Sequence, residues 1–390
     1  MSLCLAAWAS RFTRVIDDEE GDTLKRTLLG VFALGVVAAL MAPVAFAAAG
    51  SRQTLEVSAG PPLKAPPPGI SPRSDVLAFF PARLTVHVGD TVKWNFAGFH
   101  TVTFPGQKVP FPFVRPFGKQ PTTTDAAGNP FFWSGVAPQL AIAPLAIAPL
   151  GPATIANPSQ TRSSGLLRIF QASQKSPPAP YSLTFTHPGT YKFICAVHTW
   201  MRGTVHVVGP EAPADSQATV AAKQKAQINA AVATLKVLDT QKPASNKVVW
   251  VGAGVRRGPE ITSFYPSTLT VNPGDTVSFV QHDQADIHTV TFGPPAYTTK
   301  IENTFVEPGR VPLLNPLGAL PSDPLGAPLI YDGSNHGNGY AGAGILTEAG
   351  TNTPGGVHVW NVKFTKAGTY HFECVIHSHM DGTIRVINIK

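Results

Sequence analysis

Charge is scarce in this chain. Asp, Glu, Lys and Arg make up 14% of its 390 residues, and the Lys and Arg behind the formal net charge of +7 are scattered rather than gathered into a run. That distribution excludes a nucleic-acid-reading motif and leaves an overall basic surface, suited to acidic partners or anionic envelope surfaces. Methionine is rarer still, with four in all, and cysteine rarest, with three. Long apolar runs are absent but for one, Thr27 to Ala49. Gly (35) and Pro (38) are abundant, a composition that suits strands joined by many turns and predicts mainly β structure. The length allows two or three domains, each able to bury its own core.

The apolar run follows Lys25 and Arg26 and ends in Ala45-Phe46-Ala47-Ala48-Ala49, which reads as an export signal with small-residue cleavage sites. Its length, close to the ~20 residues that cross a bilayer, keeps the alternative of an uncleaved anchor, with membrane attachment through residues 27–49. Residues 1–50 are accordingly assigned as export signal or membrane anchor. The rest of the chain is expected in the periplasm or at the cell surface. Cys4 lies ahead of this segment, so Cys195 and Cys374 are the two cysteines that export would carry into an oxidising compartment, where a disulfide is the first expectation.

The chain repeats itself. Phe80-Pro81-Ala82-Arg83-Leu84-Thr85-Val86-His87-Val88-Gly89-Asp90-Thr91-Val92 returns as Tyr265-Pro266-Ser267-Thr268-Leu269-Thr270-Val271-Asn272-Pro273-Gly274-Asp275-Thr276-Val277. His100-Thr101-Val102-Thr103-Phe104 returns as His288-Thr289-Val290-Thr291-Phe292, and Gly189-Thr190-Tyr191-Lys192-Phe193-Ile194-Cys195 as Gly368-Thr369-Tyr370-His371-Phe372-Glu373-Cys374. Three blocks in one order make two homologous domains, 51–209 and 246–390. Period-two alternation within the blocks predicts half-buried strands and an antiparallel β-sandwich in each domain. Residues 210–245 form the linker; Asp215 to Gln241 lack Pro and Gly and place Ile228, Val232 and Leu235 on one helical face, predicting a connecting helix. Between the histidine and cysteine blocks each half carries a long Pro-, Gly- and Ala-rich insert, including the tandem Ala141-Ile142-Ala143-Pro144-Leu145 and Ala146-Ile147-Ala148-Pro149-Leu150. So much Pro argues against regular helix or central strand and for ordered loops over the sandwich.

Cys195 is followed by His198 and Met201, and Cys374 by His377 and Met380, so Cys-x-x-His-x-x-Met occurs twice. At the frequencies of His and Met here, the chance of both coincidences is on the order of one in ten million, which answers the usual objection to short motifs. A thiolate and two imidazoles with a weak, distant thioether suit copper cycling between Cu(I) and Cu(II), whereas zinc sites rarely recruit Met. His100 and His288, at equivalent upstream places, supply the missing imidazoles. The same arrangement argues against the disulfide, since equivalent positions of two separate sandwiches would have to meet within bonding reach.

These residues resemble the cupredoxin family of plastocyanin, pseudoazurin and amicyanin, and the short Cys-to-Met loop is most similar to amicyanin. The resemblance covers roughly residues 75–208 and 250–390. It implies two tandem Greek-key sandwiches joined by a helical linker, with one type 1 copper ion at the end of each: His100, Cys195, His198 and Met201 in the first site, His288, Cys374, His377 and Met380 in the second. The chain departs from small cupredoxins in the 94 and 85 residues that separate the upstream histidine from the cysteine. His87, His206 and His371 fall on strand positions whose neighbours face inward and are expected at the surface. Trp200 and His379 lie inside the ligand loops, beside the histidine that in this family reaches the surface.

Electron transfer with an unidentified redox partner protein, docking around His198 or His377, is the leading expectation. A multicopper oxidase or copper nitrite reductase needs a further histidine-bound centre. Those enzymes place His beside the type 1 Cys, but Ile194 and Ala196 flank Cys195, Glu373 and Val375 flank Cys374, and the one His-x-His is His377-Ser378-His379. Copper sequestration or delivery is the other alternative; carriers favour exposed Met- or His-rich tracts, and only four Met are present.

Overall fold

The computed structural model describes residues 52–388, apart from 64, 107–112, 167–177, 199, 308, 310 and 350–355. The expected export signal or anchor lies outside the described residues. Among those described, no helix is long and apolar enough to cross a membrane.

Alternation drives the local structure. In Arg83–His87, Leu84 and Val86 turn inward while Arg83 is exposed, and Asp381–Val386 buries Gly382, Ile384 and Val386 in the same rhythm. A strand with one apolar face needs a second sheet to cover it, and each half supplies two. In the first half the strand order is Phe79–Phe80, Thr54–Ala59, Thr91–Phe96, Tyr181–Phe185, Thr154–Ile155 in one sheet. The other runs Arg162–Ser163, Thr103–Phe104, Gly189–Ile194, Arg202–Val208, Arg83–His87. The second half repeats this with Pro259–Tyr265, Val248–Gly254, Thr276–Asp283, Val359–Phe364 and Leu329–Tyr331 against Thr268–Val271, Asp381–Val386, Gly368–Glu373, His288–Phe292 and Ala341–Leu346.

The sheets are mixed rather than purely antiparallel. Thr54–Ala59 runs parallel to Thr91–Phe96, Arg202–Val208 parallel to Arg83–His87, and the second half has the same parallel pairs. The chain leaves one sheet for Arg83–His87 in the other before returning at Thr91, and that excursion is the crossover that parallel pairing needs.

The cores correspond ring for ring. Phe193 meets Phe79 edge-on at 4.6 Å and Trp94 at 5.4 Å; Phe372 meets Phe264 at 4.7 Å and Phe279 at 5.2 Å. Such edge-to-face pairs add to the area buried. The rings also explain two strand glycines: a Cβ on Gly203 would lie 2.2 Å from Phe193, and one on Gly382 2.4 Å from Phe372.

The halves interlock. Ser74–Val76, from the first half, extends a sheet of the second by pairing with Pro259–Tyr265. The linker helix, Gln217–Thr240, starts where the Ser216 side chain accepts from Thr219 N–H. Its Val220 enters the first core, while Ala231, Leu235 and Leu238 pack with Phe80 and Ile261 between the halves. The inserts are not separate loops. Val114–Pro116 and Leu140–Ile142 of the first join Leu313–Leu314 and Val306–Glu307 of the second in one four-stranded sheet, with Leu313 opposite Ala141. Helices form within them too, at Pro144–Ile147, Pro295–Asn303 and Pro316–Ala319. Proline is placed in the first turn of each, where its missing N–H costs nothing, so Pro density did not exclude helix as expected.

Candidate metal centres

Each candidate site is assembled from two strand ends and one hairpin loop. His288–Phe292 begins with its histidine, and His100 stands just before Thr103–Phe104. The cysteines follow Gly189–Ile194 and Gly368–Glu373 directly, and the ligand loops are closed by their own backbone. Cys195 N–H donates to Met201 O at 2.9 Å and Met201 N–H to His198 O at 3.0 Å; Cys374, Met380 and His377 repeat the pattern at 2.8 and 3.2 Å.

The side chains converge. His100 Nδ1 and His198 Nδ1 are 3.1 Å apart, with Cys195 Sγ 3.5 Å from the latter. In the second half His288 Nδ1 and His377 Nδ1 are 3.1 Å apart, and Cys374 Sγ lies 4.0 and 3.6 Å from them. Met201 and Met380 are buried in the same apolar cluster as their cysteines. Both cysteines are free and buried. Thr101 N–H and Thr289 N–H each donate to a sulfur at 3.3 Å. The same threonines accept, through Oγ1, from Ala196 N–H at 2.7 Å and Val375 N–H at 2.8 Å. One threonine thus ties the histidine strand to the cysteine loop in each half.

Electrostatics favours thiolate in both. Burial pushes the Cys195 thiol up, but the facing His198 and His100 outweigh it and hold it well below the ordinary thiol range; His288 and His377 do the same for Cys374. Burial would lower His198, yet the Cys195 thiolate and the Asp286 carboxylate carry it up to about 9. A thiolate and two imidazole nitrogens within 4.8 Å of one another, with a buried thioether nearby, fit a copper ion in a soft trigonal site.

The two sites face each other, which the repeats do not announce. His377 Nε2 lies 3.2 Å from Asp286 Oδ2, and His198 Nε2 lies 3.7 Å from the same oxygen. His198 is 6% exposed. The loop histidines therefore turn toward a shared junction between the halves, not outward as the family resemblance led us to expect. Asp283 Oδ2 accepts from His288 Nε2 at 3.1 Å, whereas His100 Nε2 is buried with no hydrogen-bond partner among the described residues. Glu260 is buried beside this junction; burial and the neighbouring Asp283, Asp286 and Asp75 raise its pKa well above the usual carboxylate range.

Asp283 and Asp286 were missed in the sequence, and a signal for them exists. From Thr91 to His100 is nine positions, but from Thr276 to His288 is twelve; the longer segment carries both aspartates. Of the other residues singled out, His206 and His371 are exposed and His87 half-buried. Trp200 lies beneath Arg256 of the second half at 4.7 Å, while its counterpart His379 is exposed with a left-handed φ of 67°.

No family model matches the chain, nor does any curated protein. Solved structures do. A mutant plastocyanin of fern is 22% identical, with 36% of this chain and 99% of that chain covered and a TM-score of 0.20. A dithionite-reduced auracyanin from the photosynthetic bacterium Roseiflexus castenholzii is 18% identical, at 37% and 99% coverage and a TM-score of 0.23. The Cu(I) form of a mutant amicyanin is 18% identical, at 37% and 86% coverage and a TM-score of 0.19. The chain is thus similar to cupredoxins over part of its length. Likeness of this degree bears no further weight, and the two His-Cys-His groups rest on their own geometry.

Proposed function

We propose that the protein is an exported one-electron carrier holding two type 1 copper ions per chain. The observation that carries this reading is the duplicated convergence of one Cys Sγ with two His Nδ1 atoms, each beside a buried Met. Copper held there supplies a one-electron couple between Cu(I) and Cu(II). The protein's own part is to keep the donors still. Thr101 and Thr289 lock loop to strand, and the packed aromatic cores resist rearrangement when charge changes. With His198 enclosed, the second ligand loop offers the approach from solvent, through exposed His379 beside partly exposed His377.

Copper stoichiometry and the visible spectrum of the exported portion, residues 51–390, test the reading. Two coppers per chain with an intense thiolate-to-copper band, halved by either Cys195→Ser or Cys374→Ser, and reversible reduction by one-electron reagents are expected. Copper handed to an acceptor with no redox change would favour delivery instead; a colourless protein would sink the reading.

A further inference from the structure

We propose that the two copper centres exchange an electron within one chain, through His198, Asp286 and His377, with the second centre as donor and the first as acceptor. This rests on the electron-transfer reading above. Both loop histidines turn their Nδ1 edges to a cysteine, which leaves each Nε2 as the outward end of a liganding ring. Those two outward ends meet at a single carboxylate oxygen, within 3.2 and 3.7 Å. Asp286 is itself fixed: its Oδ1 accepts from Ile287 N–H at 2.7 Å, and Gln281 Nε2 donates to its backbone carbonyl at 2.8 Å. The His198 and Asp286 side chains are only 7% and 10% exposed, so in the first half an imidazole edge that would serve an external partner serves the other half of the molecule.

Direction follows from an asymmetry. Asp286 touches both sites, but Asp283 meets the second site alone, through His288, and among the described residues His100 Nε2 has no such partner. A carboxylate on the far nitrogen makes an imidazole a stronger donor and so favours Cu(II) at the second centre. One electron leaves Cu(I) there, giving Cu(II), and reduces Cu(II) to Cu(I) at the first; no bond is made or broken and no proton moves.

The test uses the full chain loaded with copper and a flash-generated one-electron reductant in substoichiometric amount. Absorption and EPR follow the redistribution, with Cys195→Ser and Cys374→Ser supplying the spectrum of each site. We expect a first-order phase independent of protein concentration that leaves the electron on the first centre. Asp286→Leu should slow it about 10- to 100-fold. Dipolar broadening between two Cu(II) ions in the EPR of the oxidised protein, retained in the variant, will show that the arrangement is unchanged. If Asp286→Leu loses that broadening, Asp286→Asn replaces it, with a smaller slowing expected. A rate that scales with protein concentration, an unaltered rate in the variant, or no broadening in the wild type overturns the proposal while leaving two redox-active coppers. An electron that rests on the second centre overturns its direction. Failure of either centre to cycle at all overturns the electron-transfer reading instead.

Discussion

Thr289 illustrates how little separates a donor set from a pair of unrelated strands. Its N–H points at Cys374 Sγ and its hydroxyl receives Val375 N–H, all of it buried. Thr289→Val keeps the shape and the sulfur contact but strands a buried donor, which costs about 1–3 kcal/mol. A lower thermal midpoint, with the second site's absorption band shifted and the first site's unchanged, is the expected result; an equal effect on both bands would show that the clamp is not local. Asp283 acts one bond further out. Asp283→Asn weakens the acceptor for His288 Nε2, and Cu(II) affinity at the second site should fall by about 10- to 100-fold in a chelator competition that leaves the first site untouched. The two His-Cys-His groups were legible because the chain states Cys-x-x-His-x-x-Met twice at one spacing and repeats the histidine block upstream. Asp283 and Asp286 were not, because they occur once; only the unequal distance from Thr276 to His288 marked the place.

At the scale of elements, the strands were readable from alternation and the linker helix from its freedom from Pro and Gly, but the inserts were not. Their pairing, Leu313 against Ala141, joins residues far apart in the chain, and no local periodicity encodes a partner that distant. The strand glycine at 382 is a sharper case. Gly382→Ala puts a methyl into the Phe372 ring, and a cost of about 1–3 kcal/mol from overpacking should appear as a lower unfolding midpoint. An unchanged midpoint would mean that the ring moves freely. The inserts are also joined by His336, whose Nδ1 faces Asp125 at 3.3 Å and whose Nε2 faces Asp323 at 3.1 Å. Burial would lower its pKa, but the two carboxylates raise it. Because the folded value lies above the unfolded one, this link contributes in full below about pH 6.5 and is lost as pH rises through the raised value. The opposing limit is acid: hydrogen bonds and the His336 charge outweigh burial to lower Asp125 and Asp323, so their share is lost as pH falls through those depressed values. Amide exchange at Ala126, whose N–H donates to His336 O, should therefore speed up beyond the intrinsic trend as pH rises above about 6.5, and His336→Gln should abolish that excess.

The whole molecule is where the repeat misleads most. Two copies of one block pattern suggest two beads on a helical string, yet the halves share a sheet made of both inserts and an edge strand at Ser74–Val76. They share an apolar cluster as well, which reaches Ala196 and Val375, the residues beside the two cysteines. Duplicated motifs specify each sandwich; what they leave open is which face of one meets the other, since that is decided by contacts between the parts that differ. A half expressed alone would expose Trp133, Leu140 and Ile142, or Leu314, Leu320 and Ile345, all now buried, and exposed patches of that kind promote association. The second half, residues 246–390, should therefore unfold at a lower temperature than the intact chain and bind a hydrophobic dye. The intact chain should melt in one cooperative transition despite its two cores. Two separate transitions in calorimetry, with the isolated half matching one of them, would instead make the halves independent. The isolated half keeps Asp286 on His377 but loses His198 from the same carboxylate, so a second-site spectrum identical in the isolated half and the whole protein would show that the junction does not tune the metal.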